Sequence, residues 1–166
     1  MKFLACLVAI FLIGCEQDKK KNYSLQTFSI LSTQNMNNNS VVRVELVQIF
    51  NQILWNIVSK MKSKQYFENR KSLLSHNSQH MKVWSFEPLP RTELSSFCIG
   101  NWTPMCYGSI VFMSYNTDKK NSFTLTPKTK HLNIELGLNA LKKISPTKKN
   151  NTKLIHRNIY SIGADK

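Results

Sequence analysis

The chain has 166 residues, with 23 Lys and Arg against 9 Asp and Glu, giving a formal net charge of +14. That length holds one domain of ordinary size. A hydrophobic content of 42% with a mean hydropathy of −0.30 supplies a packed core and excludes wholesale disorder. Only five Gly and five Pro exclude a collagen-like or proline-rich chain and leave little for a glycine-rich phosphate loop.

The N-terminus carries the sharpest local signal. Met1-Lys2 precedes an unbroken apolar run from Phe3 to Ile13. A bilayer-spanning helix needs about 20 apolar residues, so the run is too short to span and has the length of a signal-peptide core. It ends in Leu12-Ile13-Gly14-Cys15, followed at once by the polar Glu16-Gln17-Asp18-Lys19-Lys20-Lys21. This quartet resembles the lipobox of bacterial lipoproteins. The resemblance implies a diacylglycerol on the Cys15 thiol, cleavage after Gly14 and acylation of the new amine. It divides the chain into a signal peptide (1–14), a lipidated tether (15–22), a folded domain (23–144) and a basic tail (145–166). Glu rather than Asp beside Cys15 further implies sorting to the outer membrane, facing the periplasm.

Beyond the tether, Tyr23 to Leu31 is expected to form a strand of mixed polarity, and the Asn-rich stretch from Ser32 to Ser40 a loop. Val41 to Ile49 is the clearest strand, with Val42, Val44 and Leu46 on one face and Arg43 and Glu45 on the other. The period then changes. Phe50, Ile53, Leu54, Ile57, Val58 and Met61 form the apolar stripe of an amphipathic helix expected to cover a sheet, ended by Lys60, Lys62 and Lys64. Residues 65–80 read as polar and irregular apart from Leu73-Leu74. Met81 to Phe86 is expected as a strand, 90–106 as a loop, and Tyr107 to Tyr115 as another strand. A hairpin turn over Asn116–Asn121, a short strand from Phe123 to Thr126 and the alternating His131 to Leu136 complete the domain. These elements predict a mainly β protein, a β-sandwich with a helical insertion between strands two and three.

Cys98 and Cys106 are the cysteines left in the folded domain. Outside the cytoplasm they are expected to pair as a disulfide. His76 and His80 stand at i, i+4 with no Glu after the first, so no metal site is expected, and no cofactor beyond the lipid on Cys15. No Gly-x-Ser-x-Gly elbow is present, and the carboxylates are scattered, which argues against an enzyme. The lysines lie in the tether, the helix end, the turns and the tail without aromatic interleaving. That distribution suits a solvated surface or a patch for anionic headgroups, and no nucleic-acid partner is expected.

The order of elements resembles the TssJ family, outer-membrane lipoproteins of type VI secretion systems. The stretches that carry the resemblance are Leu31 to Phe50 (LSTQNMNNNSVVRVELVQIF), Tyr107 to Phe123 (YGSIVFMSYNTDKKNSF) and Lys130 to Leu141 (KHLNIELGLNAL). Ser40 stands where the family usually has Pro, and Phe123 where it commonly has Trp. The resemblance implies a transthyretin-like sandwich and a non-enzymatic adaptor. Such an adaptor binds the periplasmic part of an inner-membrane TssM-like protein and tethers the secretion complex to the outer membrane. The implied partner-binding loop is Gln34, Asn35, Met36, Asn37, Asn38 and Asn39. Other functions compatible with the sequence are a basic envelope lipoprotein that binds anionic lipid or lipopolysaccharide, and a subunit of a type IV secretion machine.

Overall fold

A computed structural model describes residues 19–98, 102–117 and 121–145. The signal peptide, Cys15 and the basic tail beyond Ser145 lie outside the described residues. Among the described residues, ten strands and two α-helices run in the order β1 (Lys21–Asn22), β2 (Thr27–Ser32), β3 (Val44–Ile49), α1 (Gln52–Val58), α2 (Ser63–Asn77), β4 (Met81–Phe86), β5 (Glu93–Cys98), β6 (Met105–Cys106), β7 (Gly108–Met113), β8 (Ser122–Thr124), β9 (His131–Leu136) and β10 (Leu141–Ser145), with a 3-10 turn at Met36–Asn39 between β2 and β3.

Two four-stranded sheets face one another, in the orders β10-β9-β2-β5 and β4-β3-β7-β8. Only β2 and β9 pair in parallel; the other described pairings are antiparallel. Sheet one follows the two-residue period: Phe28, Ile30, Leu132, Ile134 and Leu136 point inward while Leu31 is exposed. Sheet two does not, because both of its faces are covered. Every residue of β3 and β7 is buried. Val44, Leu46, Val111 and Met113 join Phe28, Ile30 and Phe86 inside the sandwich, where the Phe28 and Phe86 rings lie 5.0 Å apart. On the opposite face Val47, Ile49, Ile110 and Phe112 form a second core with Leu54, Val58 and Tyr66 of the helices. The result has three layers: sheet, sheet and helix pair.

The helical layer differs from the expected single helix. It breaks at Ser59–Lys62, and a second helix of 15 residues fills much of the stretch expected to be irregular. Asn51 caps α1 by accepting a hydrogen bond from the Leu54 amide at 3.0 Å. Of the expected stripe, Leu54 and Val58 are buried, but Ile53 and Ile57 are 72% and 51% exposed. Trp55 packs against the sheet instead: a Cβ on Gly108 would lie 2.1 Å from its ring, so this glycine is what lets α1 approach.

α2 is weakly amphipathic and is tied down by polar chemistry. Glu45, expected on the face of the strand opposite Val42, Val44 and Leu46, is fully buried there, on the helix-facing side of β3. Tyr66 donates a hydrogen bond to Glu45 Oε2 at 2.7 Å, and Arg70 Nε donates to Oε1 at 2.6 Å. Ser85 of β4 adds a third donor at 3.1 Å. The Tyr66 ring stacks on Phe112 at 4.1 Å. Burial and the neighbouring carboxylate both push the Tyr66 phenol well above its ordinary pKa, which keeps it a proton donor.

The expected loop over 90–106 also contains structure. β5 pairs with β2, placing Thr27 opposite Cys98, while β6 pairs with β1, placing Lys21 opposite Cys106. The expected Cys98–Cys106 disulfide is not formed: Cys106 is a buried free thiol. Its sulfur lies 3.6 Å from Gln48 Nε2 and 3.7 Å from Ser109 Oγ in the sandwich interior. Burial pushes the thiol pKa up.

Removing one partner of a buried carboxylate leaves its charge uncompensated. Arg70→Met is expected to lower the unfolding free energy by about 3 kcal/mol, and Tyr66→Phe by about 1–2 kcal/mol. Replacing Glu45 and Arg70 together by Met should recover much of the loss. Urea denaturation measures all three; a neutral Arg70→Met would mean that the ion pair does not hold α2. Cys106 is expected to resist iodoacetamide in the native protein at about pH 8 and to react on denaturation. Peptide-level mass spectrometry under non-reducing conditions reads both this and any bridge to Cys98.

Candidate functional site

Strand directions give the molecule two poles. β2 runs toward Ser32 and leads into the Asn-rich loop, which returns to β3 at Val44. At the same end lie the exit of β7, where Met113 pairs with Val44, the exit of β4, where Phe86 pairs with Val44, and the exit of β9 at Leu136. The opposite end gathers Ile49, Met81, Gly108 and the tether strand β1. The six residues of β3 separate the poles by about 20 Å.

The loop at the first pole is built around a buried methionine. Met36 is completely buried in the sandwich core, and its amide bonds to the Thr33 carbonyl at 3.2 Å. The next three residues, Asn37, Asn38 and Asn39, all have left-handed backbones with φ of 47°, 54° and 64°. Asn tolerates this region better than other non-glycine residues because its short amide bonds locally. Asn37 does so by donating to the Val41 carbonyl at 3.3 Å. The loop is also pinned from below. Thr33 donates to the Leu136 carbonyl at 3.0 Å, and the Asn37 amide to the Gly137 carbonyl at 3.4 Å. Tyr115 donates to that same carbonyl at 3.1 Å, and burial raises its phenol pKa.

Beside the loop is an open cleft with three walls. Asn37, Asn38 and Ser40 form one, Lys64, Phe67 and Glu68 of α2 a second, and residues 114–117 a third. Ser63 holds the base of α2 against this region by donating to the Asn121 carbonyl at 2.5 Å. Thr117 ties the third wall to the β9–β10 turn through the Asn139 carbonyl at 2.9 Å. The cleft is rich in amide, hydroxyl and charged groups with one aromatic face, which suits hydrogen bonding to an extended segment of another chain.

The residues expected to bind a partner therefore divide. Asn37 and Asn38 line the cleft, Gln34, Asn35 and Asn39 are exposed beside it, and Met36 is an interior anchor. Lys64, Phe67 and Glu68 were not expected there. Their signal was available in Tyr66, Phe67, Leu73 and Leu74, which share helical spacing. Among the described residues, no group of three or more His, Cys, Asp and Glu could hold a metal ion. No described helix is long and apolar enough to cross a membrane.

The fold and cleft define a helix-covered β-sandwich with an open polar cleft at one end. Among solved structures the chain is similar to Serratia marcescens Lip, a membrane bound component of the type VI secretion system. The identity is 11%, 76% of this chain and 99% of that one are covered, and the TM-score is 0.49. No family model and no curated protein matches the sequence.

Met36→Ala is expected to cost about 2–5 kcal/mol, as for other fully buried apolar side chains. Replacing Asn37, Asn38 and Asn39 by Gly removes the amides but keeps access to positive φ, and should change stability by no more than about 1 kcal/mol. Thermal denaturation of the two variants separates the structural anchor from the exposed surface; equal losses would show that the Asn side chains are structural.

Proposed function

We propose that this chain is a lipid-anchored adaptor of a type VI-like secretion complex. It is held at the outer membrane through Cys15 and binds the periplasmic part of a TssM-like inner-membrane protein through the Asn37–Asn39 end of the molecule. The reading rests on the sequence resemblance set out above. The observation that carries it is the placement of the Asn-rich loop at the pole opposite the tether strand β1. An adaptor needs an anchor and a partner surface that do not occlude each other, and the two ends of β3 supply that separation. The cleft formed by the loop, α2 and residues 114–117 adds an acceptor-rich and donor-rich groove on the partner side. The role is binding and positioning, with no chemical step.

The test is capture from envelopes of the host. The lipidated protein should co-purify with a large inner-membrane protein bearing a periplasmic C-terminal domain and with other type VI components. The Asn37→Gly, Asn38→Gly, Asn39→Gly variant should lose at least about tenfold of that capture, equivalent to about 1.4 kcal/mol of binding, at unchanged stability. Undiminished capture would remove the loop from the interface. Capture of type IV components alone would replace the type VI reading.

A further inference from the structure

The described carboxylates are distributed along the same axis as the poles, while cations occur at both ends. All described carboxylates lie toward the loop pole. Glu45 is near the start of β3, Glu68 lines the cleft, Glu87 follows β4, Glu93 pairs with Leu31, and Glu135 sits next to the end of β9. Glu87 and Glu135 there engage Arg43 and Lys142. Exposed Arg43, Lys60, Lys62, Lys64, Arg91 and Lys142 offset these acids at the loop pole, whereas the tether pole carries cations with no described carboxylate among them. Lys19, Lys20 and Lys21 are exposed on the tether, and Lys128 and Lys130 are exposed in the β8–β9 turn. That turn is fastened to the tether's continuation: the Ser24 amide donates to Pro127 and the Gln26 amide to Lys130. In the middle of these cations Met105 of β6, paired with Asn22, is 49% exposed, and Lys20 lies over the Tyr107 ring at 5.8 Å.

We infer that this pole, formed by Lys19–Lys21, Lys128, Lys130 and Met105, docks on the anionic phospholipid surface of the leaflet that holds the Cys15 acyl chains. The inference rests on the acylation of Cys15 proposed above. Chain length then leaves little freedom. Cys15 is four residues before Lys19, and a fully extended chain of that length reaches at most about 14 Å. Lys19 is therefore held near the headgroups, on the scale of the Debye length of about 8–10 Å, with Lys20, Lys21 and the turn fastened beside them following it. The link also carries Glu16 and Asp18, which the lysines outnumber. An exposed thioether among lysines matches that boundary, where apolar groups enter the acyl region and ammonium groups stay with phosphate. Docking at this end would point the cleft away from the bilayer.

The experiment keeps the anchor constant and varies the lipid charge. Lipidated protein is placed in neutral phosphatidylcholine vesicles and in vesicles with about 30% phosphatidylglycerol, and amide hydrogen exchange is followed by mass spectrometry. Peptides spanning Lys19–Asn22, Met105 and Lys128–Lys130 should exchange at least about threefold more slowly with the anionic lipid, while Asn37–Asn39 and Asn116 should not change. About 0.5 M NaCl should abolish the difference, and so should the combined Lys20→Glu, Lys21→Glu, Lys128→Glu and Lys130→Glu substitutions. Identical exchange in both vesicles, or protection that survives salt, overturns the docking surface while leaving the anchor intact. Failure of the protein to float with neutral vesicles, together with an unacylated Cys15 peptide, overturns the anchor and the docking together.

Discussion

A carboxylate with no exposed surface sits on the central strand of a sheet that is covered on both sides, and the helical layer is organised around it. A carboxylate in that position needs donors in place of water, because burying it unpartnered costs several kcal/mol even after relaxation. Three donors converge on it, from Tyr66 and Arg70 on α2 and from Ser85 on the adjacent strand. The spacing of Tyr66 and Arg70 by one helical turn puts both on the same face of α2. Satisfying Glu45 therefore fixes the rotation of that helix as well as its position. The stack of Tyr66 on Phe112 adds a second contact that depends on the same rotation.

Consequences reach the cleft without any further assumption. Lys64, Phe67 and Glu68 belong to the first turns of α2, within a helical turn of Tyr66. Once Tyr66 is locked onto Glu45, these three side chains have a defined direction and become the second wall of the groove. The Asn-rich wall is fixed independently, by Met36 in the sandwich core and by the Gly137 carbonyl, which accepts from both Asn37 and Tyr115. The surface is thus assembled from two cores: the sandwich interior holds the loop and the outer core holds the helix. A rigid groove needs both, since preorganised walls avoid the ordering cost that a mobile loop would incur on binding.

Much of the sandwich was legible in the sequence for a simple reason. Val41 to Ile49 and His131 to Leu136 carry patterns that local physics turns into strands, and the Asn-rich run between Ser32 and Ser40 has no alternative to a loop. The failures share a cause as well. Residues 65–80 look irregular because the helix there is held by Glu45, a residue 21 positions before Tyr66, and no window of local hydrophobicity contains that partner. The exposure of Ile53 and Ile57 has the same origin. Their periodicity fits a buried stripe, but Gly108 admits Trp55 to the sheet and turns α1 so that they face outward. Cys106 shows the limit of cysteine counting. Two leftover thiols suggest a bridge by number, yet Cys106 is a free thiol buried against Gln48 and Ser109, partners that no cysteine spacing announces.

The topology explains why the described carboxylates gather at one end of the molecule. The β2–β3, β4–β5, β7–β8 and β9–β10 connections all fall at the loop pole, while the β8–β9 turn and the entry of the tether fall at the other. The helical insertion leaves and rejoins sheet two at the tether pole, so α1 runs toward the cleft and α2 runs back. Each pole is therefore a set of connections rather than a stretch of sequence, and its composition is assembled from segments as distant as Lys19 and Lys130. Net charge summed over the chain hides this arrangement. Carboxylates collect where the connections carry arginine and lysine partners for them, whereas the turns joined to the tether contribute lysine, proline and threonine. The direction of the tether and the placement of the described carboxylates away from it are both properties of the strand directions.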